Sequence, residues 1–389
     1  MIVVPVSGRS ARSLSDALRS HGWEPGLAAS TAAGAAGAAF HVQDVDADVL
    51  LALVRHAGSL GLDVVTGDDW ALLSGSRARL SALARPWTVP APLAPLAEAV
   101  GLAMAPEPPT RWRVKGRELD LAAPLVMGIL NVTPDSFSDG GQAPTVGAAV
   151  ARARDLVAQG AGLIDVGGES TRPGRTALVP ADEEARRVVP VVLALREAMP
   201  EVVLSVDTMK AAVARDALRA GAHLINDVTG LRHDGGMAGV VRDAGAGLVL
   251  MHSRGEPLAL AAAEGLGFGD VVGEVLSELG HALERAIDAG VPAECTVVDP
   301  GFGFGKSDAH NLQLADQLDA LLALGRPVLV GPSRKRFLGT VTGRAVADRD
   351  VATAACCALC FERGARIFRV HDPAATRDAL AVAHAIAGR

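Results

Sequence analysis

Residues 163–207 read LIDVGGESTRPGRTALVPADEEARRVVPVVLALREAMPEVVLSVD, and the reading of this stretch decides the fold. It opens on a short apolar run, Leu163 to Gly167, and crosses a loop bearing glycine and proline. A helical apolar period then runs from Asp182 to Met199 and gives way to a second apolar run, Val202 to Asp207. Short Val-, Ile- and Leu-rich runs alternating with longer amphipathic stretches predict βα units and a parallel sheet. The alternation extends in both directions, through Leu125 to Asn131, His223 to Asn226, Gly247 to His252, Thr296 to Asp299, Pro327 to Gly331 and Arg366 to His371. Helical patterns fill the intervals at Val146 to Gln159, Met209 to Ala220, Val271 to Ala289 and Arg349 to Arg363. Eight such units within residues 121–389 predict an α/β chain folded as a TIM (β/α)8 barrel. A doubly wound open sheet is the alternative, because strand closure is not written in a single sequence.

Upstream the composition changes. All four tryptophans (Trp23, Trp70, Trp87, Trp112) fall in the first 112 residues, and seven of the 22 prolines crowd between Pro86 and Pro109. Residues 86–120 are therefore expected to be a proline-rich linker. Residues 1–85 carry strand-like runs near Ile2 to Val6, Ala39 to Val42, Asp63 to Thr66 and Trp70 to Leu73, with helical patterns at Ser13 to His21 and Ala47 to Gly61. They predict a small accessory α/β domain without a metal spacing, phosphate loop or nucleophile motif.

The 389 residues are 49% hydrophobic and 21% charged, enough apolar side chain for a sizeable core. A formal net charge of −7 argues against a general nucleic-acid or anionic-membrane surface and leaves room for a local basic pocket. The four cysteines cannot form a disulfide framework; Cys356, Cys357 and Cys360 read as packing on a helix, and a reducing cytoplasm fits. The start, MIVVPVSGRSARS, lacks a leader pattern, and the Ala-rich run from Pro25 to Gln43 holds too few large apolar side chains to predict a membrane span.

In a barrel the reactive groups sit where the strands end and the βα loops begin. Asn131, Asp165, Asp207, Asn226, His252, Asp299 and the pair Arg369 and His371 occupy such positions. Arg369 and His371, two apart on one strand end, point the same way and make a candidate anion clamp. Ser333, Arg334, Lys335 and Arg336 place three cations just after another strand. Two loops, Met127 to Gly141 and Asp165 to Gly174, share hydroxyls, glycines and carboxylates and are expected to act as lids. Phe302 and Phe304 alternate with glycines, as a core plug or a stacking surface; His252 is either structural or a pocket residue.

MGILNVTPDSFSDGG, IDVGGESTRPG, SVDT, INDVTG, LMHSRG, DPGFGFGKS, GPSRKRFLG and RVHD stand in this order between Met127 and Asp372, and together they resemble the dihydropteroate synthase family. The resemblance does not reach the first 120 residues. It implies a transferase of folate biosynthesis that joins 6-hydroxymethyl-7,8-dihydropterin diphosphate to 4-aminobenzoate, giving 7,8-dihydropteroate and diphosphate. By resemblance the pterin diphosphate is held by Thr171, Asp207, Asn226, Asp299, Lys335, Arg369 and His371. The aminobenzoate side is made by Phe137, Arg172, Pro173, Phe304, Ser333 and Lys335, and Asn131 takes a Mg²⁺ ion. The residue types suit that chemistry, since a pterin edge of donors and acceptors calls for carboxylates and amides, and departing diphosphate calls for cations. Loss of diphosphate ahead of amine attack is the expected route. The resemblance also implies a homodimer acting on small molecules, away from nucleic acid and membranes. The other readings are a methyltransferase-type pterin barrel and a catalytically silent paralogue.

Overall fold

The computed structural model describes residues 2–6, 38–75, 77–87, 89–104, 107–133, 145–169, 177–255 and 267–388. The chain divides into two units: Met1–Glu107 with Gly267–Gly280 and Asp319–Gly325, and Pro108–Leu266 with His281–Leu318 and Arg326–Arg389. In the first unit β1 (Ile2–Val6), β2 (Ala38–Gln43), β3 (Asp63–Thr66) and β4 (Ala71–Gly75) form a sheet in the order β1-β2-β4-β3. Its strand pairs are antiparallel. Helices α1 (Ala47–Leu60), α2 (Arg77–Leu83) and α3 (Ala94–Met104) contribute Leu53, Leu80 and Leu96 to a core with Phe40, Val42 and Leu73. The helical pattern at Ser13 to His21 lies outside the described residues.

Helix α3 falls inside the proline-rich stretch. Pro95 sits in its first turn, where the missing N–H has no intrahelical partner to lose, so proline here starts a helix rather than preventing one. Two further strands, β5 (Arg111–Val114) and β6 (Arg117–Asp120), pair as a hairpin turned at Gly116, whose φ of +67° suits glycine. Period two puts Trp112 and Val114 on one face of the hairpin, and both are buried.

The second unit carries β7 (Leu125–Asn131), β8 (Leu163–Gly167), β9 (Val203–Asp207), β10 (Leu224–Asp227), β11 (Gly247–Met251), β12 (Thr296–Asp299), β13 (Val328–Val330) and β14 (Ala365–Val370). These strands close into a barrel in chain order, every neighbouring pair parallel, and β14 pairs with β7 to complete the ring. The closed ring excludes the open sheet. Between strands run α4 (Val146–Ala158), α5 (Ala181–Ala198), α6 (Ala211–Ala220), α7 (Met237–Ala244), α8 (Val271–Asp288), α9 (Asp308–Asp316), α10 (Arg336–Thr342), α11 (Asp350–Glu362) and the closing α12 (Pro373–Ile386). No helix among the described residues is long and apolar enough to cross a membrane. The cysteines are free and buried, Cys356, Cys357 and Cys360 on α11.

The barrel floor is one apolar cluster of Met127, Leu163, Val203, Leu224, Val249, Val297, Leu329 and Ile367, one residue from each strand. Trp112, Val114 and Leu121 belong to the same cluster, so the β5–β6 hairpin closes the N-terminal end of the barrel. Trp112 is fully buried and its indole N–H donates to the Cys295 carbonyl at 3.0 Å. A Cβ on Gly247 would come within 2.8 Å of Val114, so glycine admits the hairpin there.

Candidate active site

Each floor residue fixes the parity of its strand. Counting on in steps of two, side chains on the same face are Asp165 and Gly167 after Leu163, Ser205 and Asp207 after Val203, Asn226 after Leu224, and Asp299 after Val297. The same count reaches Ile129 and Asn131 on β7 and Arg369 on β14, and continued one step past β14 it gives His371. The polar residues therefore lie inside the ring, toward the C-terminal ends of the strands.

They are wired to one another there. Arg369 donates through Nε to Asp165 Oδ2 at 2.6 Å and through Nη2 to Asp207 Oδ2 at 2.7 Å. Asn226 Nδ2 donates to Asp165 Oδ2 at 3.1 Å. Because that carboxylate oxygen can only accept, the amide is oriented with its oxygen turned away. Asn226 Oδ1 and Asp165 Oδ1 are buried and have no hydrogen-bond partner among the described residues. Burial raises the Asp207 carboxyl, with Asp165, Glu184 and Asp227 adding to the rise while Arg369 pulls it back. Burial works against the Arg369 charge too, but Asp165 and Asp207 outweigh it and raise the guanidinium pKa.

Asp299 is buried and accepts the Gly301 N–H at 2.7 Å. Desolvation pushes its carboxyl up to about 6, against the pull of that N–H and of Lys335, Arg369 and Lys306. Lys335 lies with Nζ 3.9 Å from the centre of the Phe304 ring, a cation–π contact in a desolvated place. Burial, with the Arg369 charge added, brings the lysine down to about 8. Phe304 packs with Val228 and Met251 beneath the mouth, whereas Phe302 is fully buried against Phe337.

Ser333 Oγ lies 2.9 Å from His371 Nδ1 and accepts the His371 main-chain N–H at 3.1 Å, which fixes the histidine beside the β13 loop. Between Ser333 and Lys335 the chain turns through Arg334 at φ +57°, a strained conformation for a side chain of this size. Three ties from the start of α11 hold that turn. Arg334 makes a two-pronged pair with Asp350 at 2.8 and 2.7 Å, its N–H meets Thr353 Oγ1 at 3.1 Å, and Arg349 donates to its carbonyl at 3.1 Å. Arg336 is turned away to Asp308 at 3.3 Å. Asn131 stands beside bare backbone: a Cβ on Gly167 would sit 3.4 Å from Asn131 Oδ1 and 3.8 Å from Asp207 Cβ.

Of the residues expected from sequence, Asn131, Asp207, Asn226, Asp299, Phe304, Ser333, Lys335, Arg369 and His371 converge on this mouth. Phe137, Thr171, Arg172 and Pro173 lie outside the described residues. Three features carried no assigned role in the sequence reading. Asp165 ties Asn226 to Arg369; its signal was an acid two residues beyond an inward leucine. Lys210 pairs with Glu169 and Glu184, drawing the segment after β8 to that after β9. Lys306 meets the ring of His252. No spacing rule pairs such distant groups.

Comparison with known proteins agrees with this geometry. The sequence model of the family described as "Pterin binding enzyme" matches residues 127–371. The dihydropteroate synthase of Streptococcus pyogenes serotype M3 is 44% identical over 259 residues, covering 66% of this chain and 93% of the relative. That of Bacillus subtilis is 43% identical over 248 residues, covering 64% of this chain and 83% of the relative. Among solved structures, Xanthomonas albilineans dihydropteroate synthase with 4-aminobenzoic acid superposes with a TM-score of 0.67 at 48% identity, covering 72% of this chain and 99% of that one. The same enzyme in complex with 7,8-dihydropteroate gives a TM-score of 0.64 at 45% identity over 72% and 99%. With a barrel that matches these enzymes along nearly their whole length and a mouth built from the matched motifs, the chain belongs to the dihydropteroate synthase family of pterin-binding enzymes.

Proposed function

We propose that the mouth joins 6-hydroxymethyl-7,8-dihydropterin diphosphate to 4-aminobenzoate, forming 7,8-dihydropteroate and diphosphate. The observation that carries this reading is the pair of buried oxygens without partners among the described residues, Asn226 Oδ1 and Asp165 Oδ1. A buried acceptor left empty costs about 1 to 3 kcal/mol, so the site suits a ligand that brings N–H donors in a plane, as the amino-pyrimidine edge of a pterin does. Asp299 is placed to accept from that edge, and Asp207 lies on the other side of Asn226 within the same wired set. Phe304 and Lys335 offer a flat wall for an aminobenzoate ring, with Ser333 and His371 at its edge. In the proposed roles Thr171 joins the pterin side, and Phe137, Arg172 and Pro173 the aminobenzoate side.

In the reaction the C–O bond between the pterin methylene and diphosphate breaks, the amine nitrogen forms the new C–N bond, and the ammonium proton is lost to water. Asp165, Asp207 and Asp299 bring carboxylates to one mouth, and ionised carboxylates there favour positive charge building on the pterin methylene as diphosphate leaves. Among the described residues no three metal-ligating side chains gather. Mg²⁺ nevertheless suits the place, because it keeps its waters and takes phosphate oxygens, needing little more from protein than the Asn131 amide oxygen beside Gly167. Bound there it would screen the departing charge. Arg369 and His371 supply the rest of the clamp.

A homodimer is the assembly we propose, supported by apolar side chains left exposed on the last two helices: Val351 at 79%, Leu359 at 58%, Val382 at 61% and Ile386 at 78%. The cytoplasm is the proposed compartment, supported by four free thiols. Residues 1–85 are proposed as an accessory domain, joined to the barrel of 121–389 through residues 86–120, in which α3 packs into the core of the first unit and the β5–β6 hairpin packs on the barrel floor. Diphosphate release and pteroate formation on mixing purified protein with both substrates and Mg²⁺ test the central reading. Binding of the pterin without release would favour a silent paralogue, and methyl transfer from methyltetrahydrofolate the methyltransferase type.

A further inference from the structure

Lys306 is 2% exposed and follows the glycine-rich turn after β12. Its three N–H groups serve the carbonyls of Gly301 at 3.0 Å and Phe304 at 3.1 Å and His252 Nδ1 at 2.8 Å, with the His252 carbonyl at 3.4 Å sharing one of them. An ammonium group has donors only, so His252 Nδ1 is the acceptor and the imidazole is held as the tautomer protonated at Nε2. One side chain thus joins the segment just past β11 to both ends of the turn that leads from Asp299 to Phe304. The two segments touch closely: a Cβ on Gly301, which sits at φ +66°, would lie 1.9 Å from the His252 carbonyl oxygen. Asn311 adds a lesser tie, accepting the Gly303 N–H at 2.7 Å.

We propose that Lys306 is a positioning residue: it locks the turn carrying Asp299 and Phe304 to the end of β11, and its charge forms part of the field at Asp299. The functional half of this inference rests on the reading of the mouth as a pterin and aminobenzoate site. Three cations act on Asp299 from three segments: Lys306 after β12, Lys335 after β13 and Arg369 on β14, the last already shared with Asp165 and Asp207. Lys306 is the member that meets no substrate in the proposed arrangement. Its loss therefore acts on binding only through the turn and through Asp299.

The test uses the full chain with Lys306→Met, which removes donors and charge, and Lys306→Gln, which keeps N–H donors without the charge. Amide exchange across residues 299–305 reads the lock, and binding of the dihydropterin diphosphate from pH 5 to 8 reads the charge. Lys306→Met is expected to speed exchange there by about tenfold or more and to raise KM for aminobenzoate by more than it lowers kcat, while a general loss of fold would change exchange everywhere. In both variants the acid limb of pterin binding moves to higher pH. Wild-type exchange in Lys306→Met overturns the lock, and an unmoved limb in both variants overturns the electrostatic role. Should Lys306→Met fail to fold, the limb in Lys306→Gln decides. Should the wild-type protein bind no pterin at all, the functional reading falls and exchange alone decides the lock.

Discussion

Asp165 and Arg369 stand 204 residues apart in the chain and 2.6 Å apart in space, carboxylate against guanidinium, on strands β8 and β14. Between those strands lies β7 alone, so the pair spans the mouth over Asn131's own strand. Removing one partner of a buried ion pair leaves a charge that water can no longer solvate. Asp165→Ala leaves Arg369 with Asp207 and takes away the acceptor of the Asn226 amide, so it should destabilise the fold by about 1 to 3 kcal/mol in denaturant titration, and Asp165→Asn should lower kcat/KM by about a hundredfold by loosening both Arg369 and Asn226. Wild-type turnover in Asp165→Asn would show that the wiring is structural only.

The Asp299 carboxyl titrates near 6 when folded and near 3.9 in an unfolded chain. A raised folded value means that the native state holds its proton longer. Its stability contribution is therefore complete below about pH 4 and is lost as pH rises through 6, reaching a deficit of about 3 kcal/mol at pH 8. Asp299→Asn, which can still accept the Gly301 N–H, should be more stable than wild type at pH 8 and equal to it at pH 4, with synthase activity lost. Equal melting temperatures at both pH values would contradict this.

In the proposed mouth Asp207 and Asp299 act as carboxylates and Lys335 as a cation. With burial pushing Asp207 up to about 7 and Asp299 up to about 6, and bringing Lys335 down to about 8, kcat/KM should be bell-shaped, falling below about pH 7 and above about pH 8. Lys335→Arg should move the alkaline limb beyond pH 9, since a guanidinium does not deprotonate in that range. A flat profile from pH 5 to 9 would remove these groups from the binding step.

Trp112 closes the barrel floor from outside the eight strands. Trp112→Ala should cost about 3 to 5 kcal/mol in thermal or denaturant unfolding, far more than an ordinary surface change. A chain beginning at Pro108 keeps the hairpin and should retain synthase activity, whereas one beginning at Leu121 should express poorly or melt early. Equal behaviour of the two would show the hairpin to be dispensable.

Much of this was legible in sequence because a barrel strand writes its two faces at alternate positions. LIDVG, VLSVD and TVVD each carry an acid in step with an apolar residue, and in the structure those acids face inward. The runs match the strands to within about two residues, since apolar clusters end where the backbone leaves the ladder. The pairings were not legible: nothing local to Asp165 names Arg369, and nothing local to Lys306 names His252. The hairpin was also hidden. Strands of four residues give two repeats of the alternation, and the surrounding prolines suggested a linker, while in α3 the proline only marks a first turn.

The alternation of faces also has a genetic consequence. Deleting a single codon inside β12 would turn Asp299 from the mouth toward the surrounding helices and bring Val298 or Pro300 into its place, as a one-step slip inverts any strand. The same lesion in the turn at Lys115–Gly116 would shorten a loop and leave every ligand-facing group aimed as before. In-frame losses in this gene should therefore survive selection in connecting turns and be purged from the eight strands, even where composition is unchanged.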